Sequence, residues 1–159
     1  MKNTKKTPQS KRAKRVESAP EKSVAQPPLT TLLFPFVSNQ AGYDTGIAIT
    51  NPTAEPFCET PQYGSCSIHF FGNVAGGPAP GTQVTGVVPP GGQITFVLST
   101  GGTLNAPLAP GFQGYLIMEC WFKNARGFAM IGDVGMKHIA TGYLAEVIPS
   151  RKAISDRKA

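Results

Sequence analysis

The run Tyr43-Asp-Thr-Gly-Ile-Ala-Ile-Thr-Asn-Pro-Thr53 decides the fold class. Ile47 and Ile49 alternate with Ala48 and Thr50, the period of two that marks a strand with one buried face. Gly42 lies just ahead of this strand, and Asn51-Pro52 ends it because proline has no N–H to give a ladder.

Working outward, the same grammar of short alternating strand and Gly/Pro turn repeats along the chain. Leu32 to Val37 reads as a first strand, with Pro35 marking an edge position or a bulge. Cys66 to Phe71 follows, with Cys66, Ile68 and Phe70 on one face. Thr82 to Val88 and Gln93 to Leu98 flank Pro89-Pro-Gly-Gly92, which reads as a tight hairpin turn with Gly91 free to take positive φ. Tyr115 to Phe122 is the most apolar strand, Asn124 to Gly127 turns it into Phe128 to Ile131, and Ile139 to Ile148 closes the series. Seven or eight strands at regular spacing, with no amphipathic helix, predict an all-β single antiparallel β-sandwich over residues 31–150; a barrel is the alternative.

Composition agrees. The 159 residues suffice for one domain with its own core, 40% are hydrophobic, and 18 Gly plus 15 Pro carry no fibrous period. No apolar run approaches the roughly 18 residues of a membrane-spanning helix. The net charge of +6 is uneven: residues 1–30 hold eight Lys/Arg against two Glu, residues 31–150 sum to −3, and residues 151–159 to +3. Residues 1–30, with Lys5, Lys6, Lys11, Arg12, Lys14 and Arg15, have almost no large apolar side chain and read as a disordered basic arm. That arm is either a solvated leader or a nucleic-acid contact; no aromatic residue interleaves its charges for base stacking. Its start does not read as a signal peptide, since no run of roughly 7–15 apolar residues follows the early lysines. Residues 151–159 form a basic C-terminal tail.

Several segments together resemble a group of bacterial exported β-sandwich domains. They are Leu33 to Pro52, Val88-Pro-Pro-Gly-Gly-Gln93, Gly111-Phe-Gln-Gly-Tyr115 and Gly142-Tyr-Leu-Ala-Glu-Val-Ile-Pro149, and the likeness covers about residues 32–149. The resemblance implies an immunoglobulin-like sandwich of surface or secreted proteins and brings no activity with it.

Candidate chemistry is sparse. Asp44-Thr45-Gly46 matches the triplet of aspartic proteases, and Ala129-Met-Ile-Gly132 resembles a segment of the retroviral type. That chemistry needs two facing aspartates, hence a dimer. Ile47 stands where such enzymes need a small residue, and a strand-entry turn with Asp44 capping backbone donors is the simpler reading. His69 and His138 with Cys58, Cys66 and Cys120 show no metal-ligand spacing, and no nucleophile elbow or phosphate loop is present. No cofactor is expected. Tyr115, Ile117, Glu119 and Trp121 share a strand face, which points to packing under a loop or against a partner.

The expectation is a non-catalytic module of the bacterial cell surface or envelope, structural or adhesive, with a protein or cell-surface partner. A coat-like nucleic-acid binder acting through residues 1–30 is the alternative, and a dimeric aspartic protease centred on Asp44 the remote one. Export would oxidise one cysteine pair. Cys66 lies on the Ile68/Phe70 face and Cys120 on the Leu116/Met118/Phe122 face, so both enter one core and Cys66–Cys120 is the expected disulfide. Cys58, in a Pro-rich loop, is expected unpaired. In a cytoplasmic protein all three would be thiols.

Overall fold

The structure, a computed structural model, describes residues 28–56, 60–106, 108–133 and 140–149. The basic arm, Cys58, His138 and the C-terminal tail lie outside the described residues.

The strands are β1 (Thr30–Ser38), β2 (Tyr43–Thr50), β3 (Cys66–Val74), β4 (Gly77–Pro78), β5 (Gln83–Val84), β6 (Gln93–Val97), β7 (Gly101–Gly102), β8 (Phe112–Cys120), β9 (Arg126–Asp133), β10 (Ala140–Leu144) and β11 (Glu146–Ile148). Of these eleven, β4, β5 and β7 have only two residues each; the strand expected over Thr82–Val88 is reduced to β5, and the one expected over Ile139–Ile148 is divided into β10 and β11. One sheet runs β11-β1-β8-β3-β4, with β5 also on β3; the other runs β10-β9-β2-β6-β7, and every pairing is antiparallel. Alternation sends Leu32, Phe34, Ile68, Leu116 and Met118 of the first sheet into one core with Ile47, Ile49, Ile94, Phe96 and Ala129 of the second. The molecule is a two-sheet sandwich.

The chain passes between sheets at most connections, and this corrects the expected hairpin. Gln93–Val97 does not pair with Thr82–Val88; it pairs with β2, while Gln83–Val84 pairs with β3 in the other sheet. Ladder pairing there stops at Val84, and Val88 forms only a single bridge with Gly64. Thr85 then substitutes a side chain for the backbone, its Oγ1 accepting from Cys66 N at 2.9 Å. The last strand is likewise split: β10 pairs with β9, the chain turns at Ala145, and β11 pairs with β1 in the opposite sheet.

Asn51 holds the crossing turn. It is fully buried. Its backbone N–H donates to Gly92 O at 2.9 Å and its C=O accepts from Gly91 N at 2.8 Å. Its Nδ2 donates to Gln62 O at 2.7 Å and Val88 O at 3.1 Å, and its Oδ1 accepts from Thr53 N and Thr53 Oγ1. Thus one amide caps the Pro52–Ala54 turn and fixes the Pro89–Gly92 turn, where Gly91 takes φ 72 as expected.

Cys66 and Cys120 face each other across β3 and β8 and form a disulfide, with Cα atoms 4.1 Å apart. The flanking contact Trp121 N to Ser65 O makes 65–121 a hydrogen-bonded pair. Cys66–Cys120 is therefore a non-hydrogen-bonded pair, the closer of the two antiparallel spacings. Both residues are fully buried. Closing a sequence separation of 54 is worth roughly 4 kcal/mol in the chain-entropy model.

Asn51→Ala removes two donors from the buried carbonyls of Val88 and Gln62 and the cap on Thr53. It is expected to lower the unfolding free energy by about 3 kcal/mol. Urea unfolding measures this, and a loss below about 1 kcal/mol would contradict the role given to Asn51.

Candidate functional site

The outer face of the first sheet carries the most developed surface, and its origin is Pro35. The β1–β8 register runs from Phe34↔Leu116 directly to Val37↔Gly114, so Pro35 and Phe36 form a bulge on β1. The expected bulge is thus present, while the edge alternative is not, since β1 lies between β11 and β8. Phe34 and Val37 stay buried, and the two bulge residues, which together oppose Tyr115, both turn outward.

Phe36 thereby joins two aromatic neighbours. Phe71 on β3 and Tyr115 on β8 are register partners, their rings stacked at 4.9 Å between centroids and 8° between planes. Phe36, Phe71 and Tyr115 are 48%, 40% and 41% exposed, which is high for three large rings on adjacent strands. Phe36, Phe71, Tyr115, Asn73 and Gln113 wall a depression of about 750 Å³. Beside them Gly72 and Gly114 pair across the ladder, where a Cβ on either would lie 2.1 Å from the carbonyl of Gln113 or Phe71. This close approach accounts for the second glycine of Gly111-Phe-Gln-Gly-Tyr115.

A second depression, of about 370 Å³, lies on the other side of Phe36 and is lined by Ser38, Gln40, Ala41, Tyr43, Gln113 and Thr141 among others. Its rim is the Gln40–Tyr43 turn, closed by Tyr43 N to Gln40 O at 3.0 Å. Ala41 there sits at φ 55, left-handed backbone that costs a non-glycine residue roughly 1–2 kcal/mol. Polar side chains connect the two depressions. Ser38 Oγ donates to Gln113 Oε1 at 3.4 Å, and Gln40 Nε2 donates to Asn73 Oδ1 at 3.3 Å and Gly111 O at 2.8 Å.

The bulge frees the Phe36 carbonyl, which accepts a hydrogen bond from the Tyr143 hydroxyl. Tyr143, on β10 of the opposite sheet, also packs edge-on against Phe34 at 6.5 Å. One side chain thus fixes the backbone beneath Phe36 and closes the seam between the sheets. Burial pushes the Tyr143 phenol above its ordinary value of 10.0.

The residues singled out in the sequence fall elsewhere. Asp44 Oδ1 accepts from Thr45 N at 2.8 Å and its Oδ2 from the Ser99 hydroxyl, the capping role expected of a strand entry. Thr45 is buried and ties β2 to the end of β1, donating to Ser38 O and accepting from Ser38 N, each at 2.9 Å. His69 lies on the aromatic face, with Nε2 3.1 Å from Glu119 Oε2 and Nδ1 3.0 Å from Thr82 Oγ1. Among the described residues no three His, Cys, Asp or Glu side chains converge as metal ligands. Cys66 and Cys120 are brought together; the residues of the basic arm are not described.

Sequence reasoning reached Tyr115 but passed over Phe36 and Phe71. The signals were available: adjacent aromatics at 70 and 71 of one strand must face opposite sides, and a proline inside a strand breaks the alternation.

Tyr143→Phe leaves the Phe36 carbonyl without its donor and is expected to cost about 1 kcal/mol at neutral pH. The raised phenol value adds a pH signature. Stability owed to protonated Tyr143 is full below the unfolded tyrosine value of about 10 and is lost as pH rises through the folded value. Urea unfolding across that window should show an alkaline decline that Tyr143→Phe reduces, and identical declines in both proteins would contradict the assignment. Searches against family models, curated proteins and solved structures found no match for this chain.

Proposed function

We propose that this chain is a non-catalytic β-sandwich module of the bacterial cell surface or envelope, acting by interaction or adhesion. The observation that carries the reading is the row Phe36, Tyr115 and Phe71 on an outer sheet face, where a monomeric soluble domain gains nothing from exposing three rings. The buried Cys66–Cys120 disulfide supports it, because such bonds persist in oxidising compartments. Among the described residues no helix is long and apolar enough to cross a membrane. The resemblance of Leu33 to Pro52 and Gly111 to Tyr115 to exported domains points the same way. Fractionation of the source cells, with protease treatment of intact cells, is expected to place the protein in the envelope or outside. Recovery from the cytosol alone would overturn the proposal.

A specific observation favours nucleic-acid binding as the second reading. Thr31 pairs with Ile148, which puts the first and last described residues, Pro28 and Pro149, at one end of the sandwich. Lys123 and Arg126, the two Lys/Arg among the described residues, line a depression with Pro28 and Pro149 at that same end. The basic residues of the described body therefore sit together at that end, and the remaining described charges are carboxylates. Under this reading full-length protein shifts nucleic acid on a native gel, the protein lacking residues 1–27 does not, and the shift fades steeply between low and moderate salt. No arm-dependent shift at low salt would end it.

A further inference from the structure

We propose that the two depressions flanking Phe36 form one elongated site for a neutral glycan chain. The inference rests on the interaction-module reading and gives it a ligand class.

A pyranose ring presents an apolar C–H face and a rim of uncharged hydroxyls. Its recognition needs exposed aromatic surface and nearby neutral hydrogen-bonding groups, and the site supplies both. Phe71, Tyr115 and Phe36 stand on three adjacent strands, and Tyr43 continues the aromatic surface into the second depression. The polar groups between them are amides and hydroxyls: Asn73, Gln113, Gln40, Ser38 and Thr141. Gln113 and Asn73 use their amide oxygens to accept from Ser38 and Gln40, respectively. Their –NH₂ groups are hydrogen-bonding capacity that these contacts do not consume, held in place by a network already formed.

Charge narrows the choice of ligand. Among the described residues neither depression has a Lys, Arg, Asp or Glu in its lining, so none of them complements a phosphate, a sulfate or an ammonium group there. The hydrogen-bonded pair on this face, His69–Glu119, sits across from Ile117 and Ser67 and outside both linings. A purely apolar partner would cover the Gln113 and Asn73 –NH₂ groups without offering them an acceptor, which costs binding energy. The apolar depression on the other sheet, about 480 Å³ between Phe128, Met130 and Val97 over Gly46 and Ala48, lacks such an amide network and does not share this signature.

Size sets the form of the ligand. Each depression falls within the range of ligand sites, about 300–1,000 Å³. Phe36 and Gln113 line both, so a ligand filling the two must pass over Phe36. That geometry suits a chain of several sugars better than one.

The test is affinity electrophoresis of the full chain in native gels containing uncharged polysaccharides: hydroxyethylcellulose, laminarin, galactomannan and dextran. Retardation by at least one is expected, surviving about 0.5 M salt because screening does not weaken stacking or neutral hydrogen bonds. Phe71→Ala and Tyr115→Ala should weaken it about tenfold, and Gln113→Ala severalfold. Thermal melts check that each variant folds; Phe36→Ala, which removes the most exposed ring, serves if either of the first two does not. No retardation by any of the four would overturn the inference, as would equal retardation of all variants. Retardation that vanishes in salt or on removing residues 1–27 would assign the effect to the basic arm and also overturn it. Concentration-dependent dimerisation abolished by the same substitutions would give the face to a second copy instead. An envelope location without glycan retardation would refute this inference and leave the interaction-module reading standing.

Discussion

The Cys66–Cys120 bond is the constraint around which the rest is arranged. It joins β3 to β8, the strand that also pairs with β1 and so occupies the middle of its sheet. Because the pair is non-hydrogen-bonded, the backbone groups of both cysteines point away from each other. Cys120 O accepts from Leu29 N, while Cys66 N and Cys66 O bond to Thr85. One bridge therefore fixes four segments, and both cysteines belong to the same buried apolar cluster as Ile68, Met118 and Phe122. A chain that had evolved in a reducing compartment would gain nothing from this geometry beyond two small apolar side chains.

The fold was legible in the sequence wherever the deciding quantity was a face. Alternation at Ile47 and Ile49, at Cys66, Ile68 and Phe70, and at Leu116, Met118 and Cys120 named the inward residues, and the disulfide followed from two such faces. Pairing was less legible, because period two says which side a residue faces and nothing about its neighbour strand. Pro89-Pro-Gly-Gly92 has hairpin composition yet carries the chain between sheets, since Asn51 ties the turn to β2. In the sequence Asn51 is only a strand stop; its six hydrogen-bond contacts come from segments as far away as Gly92, and no local pattern announces them. The split at Ala145 is hidden for the same reason.

The candidate site follows from one local irregularity. Pro35 cannot donate, the register slips, and Phe36 emerges beside Tyr115 and Phe71 while Tyr143 secures the carbonyl left open. The Asp44-Thr45-Gly46 triplet, the motif with the most chemical promise on paper, is consumed in fastening β2 to Ser38 and Ser99. The aromatic row and the end that carries Lys123 and Arg126 are chemically separate, the first lined by no charged side chain among the described residues. Two surfaces of such different character suit a module that meets two different surroundings.

The account as a whole depends on the chain being built for an oxidising environment. The most direct measurement is peptide mapping of protein taken from its source cells, with free thiols alkylated before lysis and no reductant added. The account predicts a linked pair of peptides carrying Cys66 and Cys120, with neither cysteine alkylated. Recovery of both as alkylated thiols would contradict it.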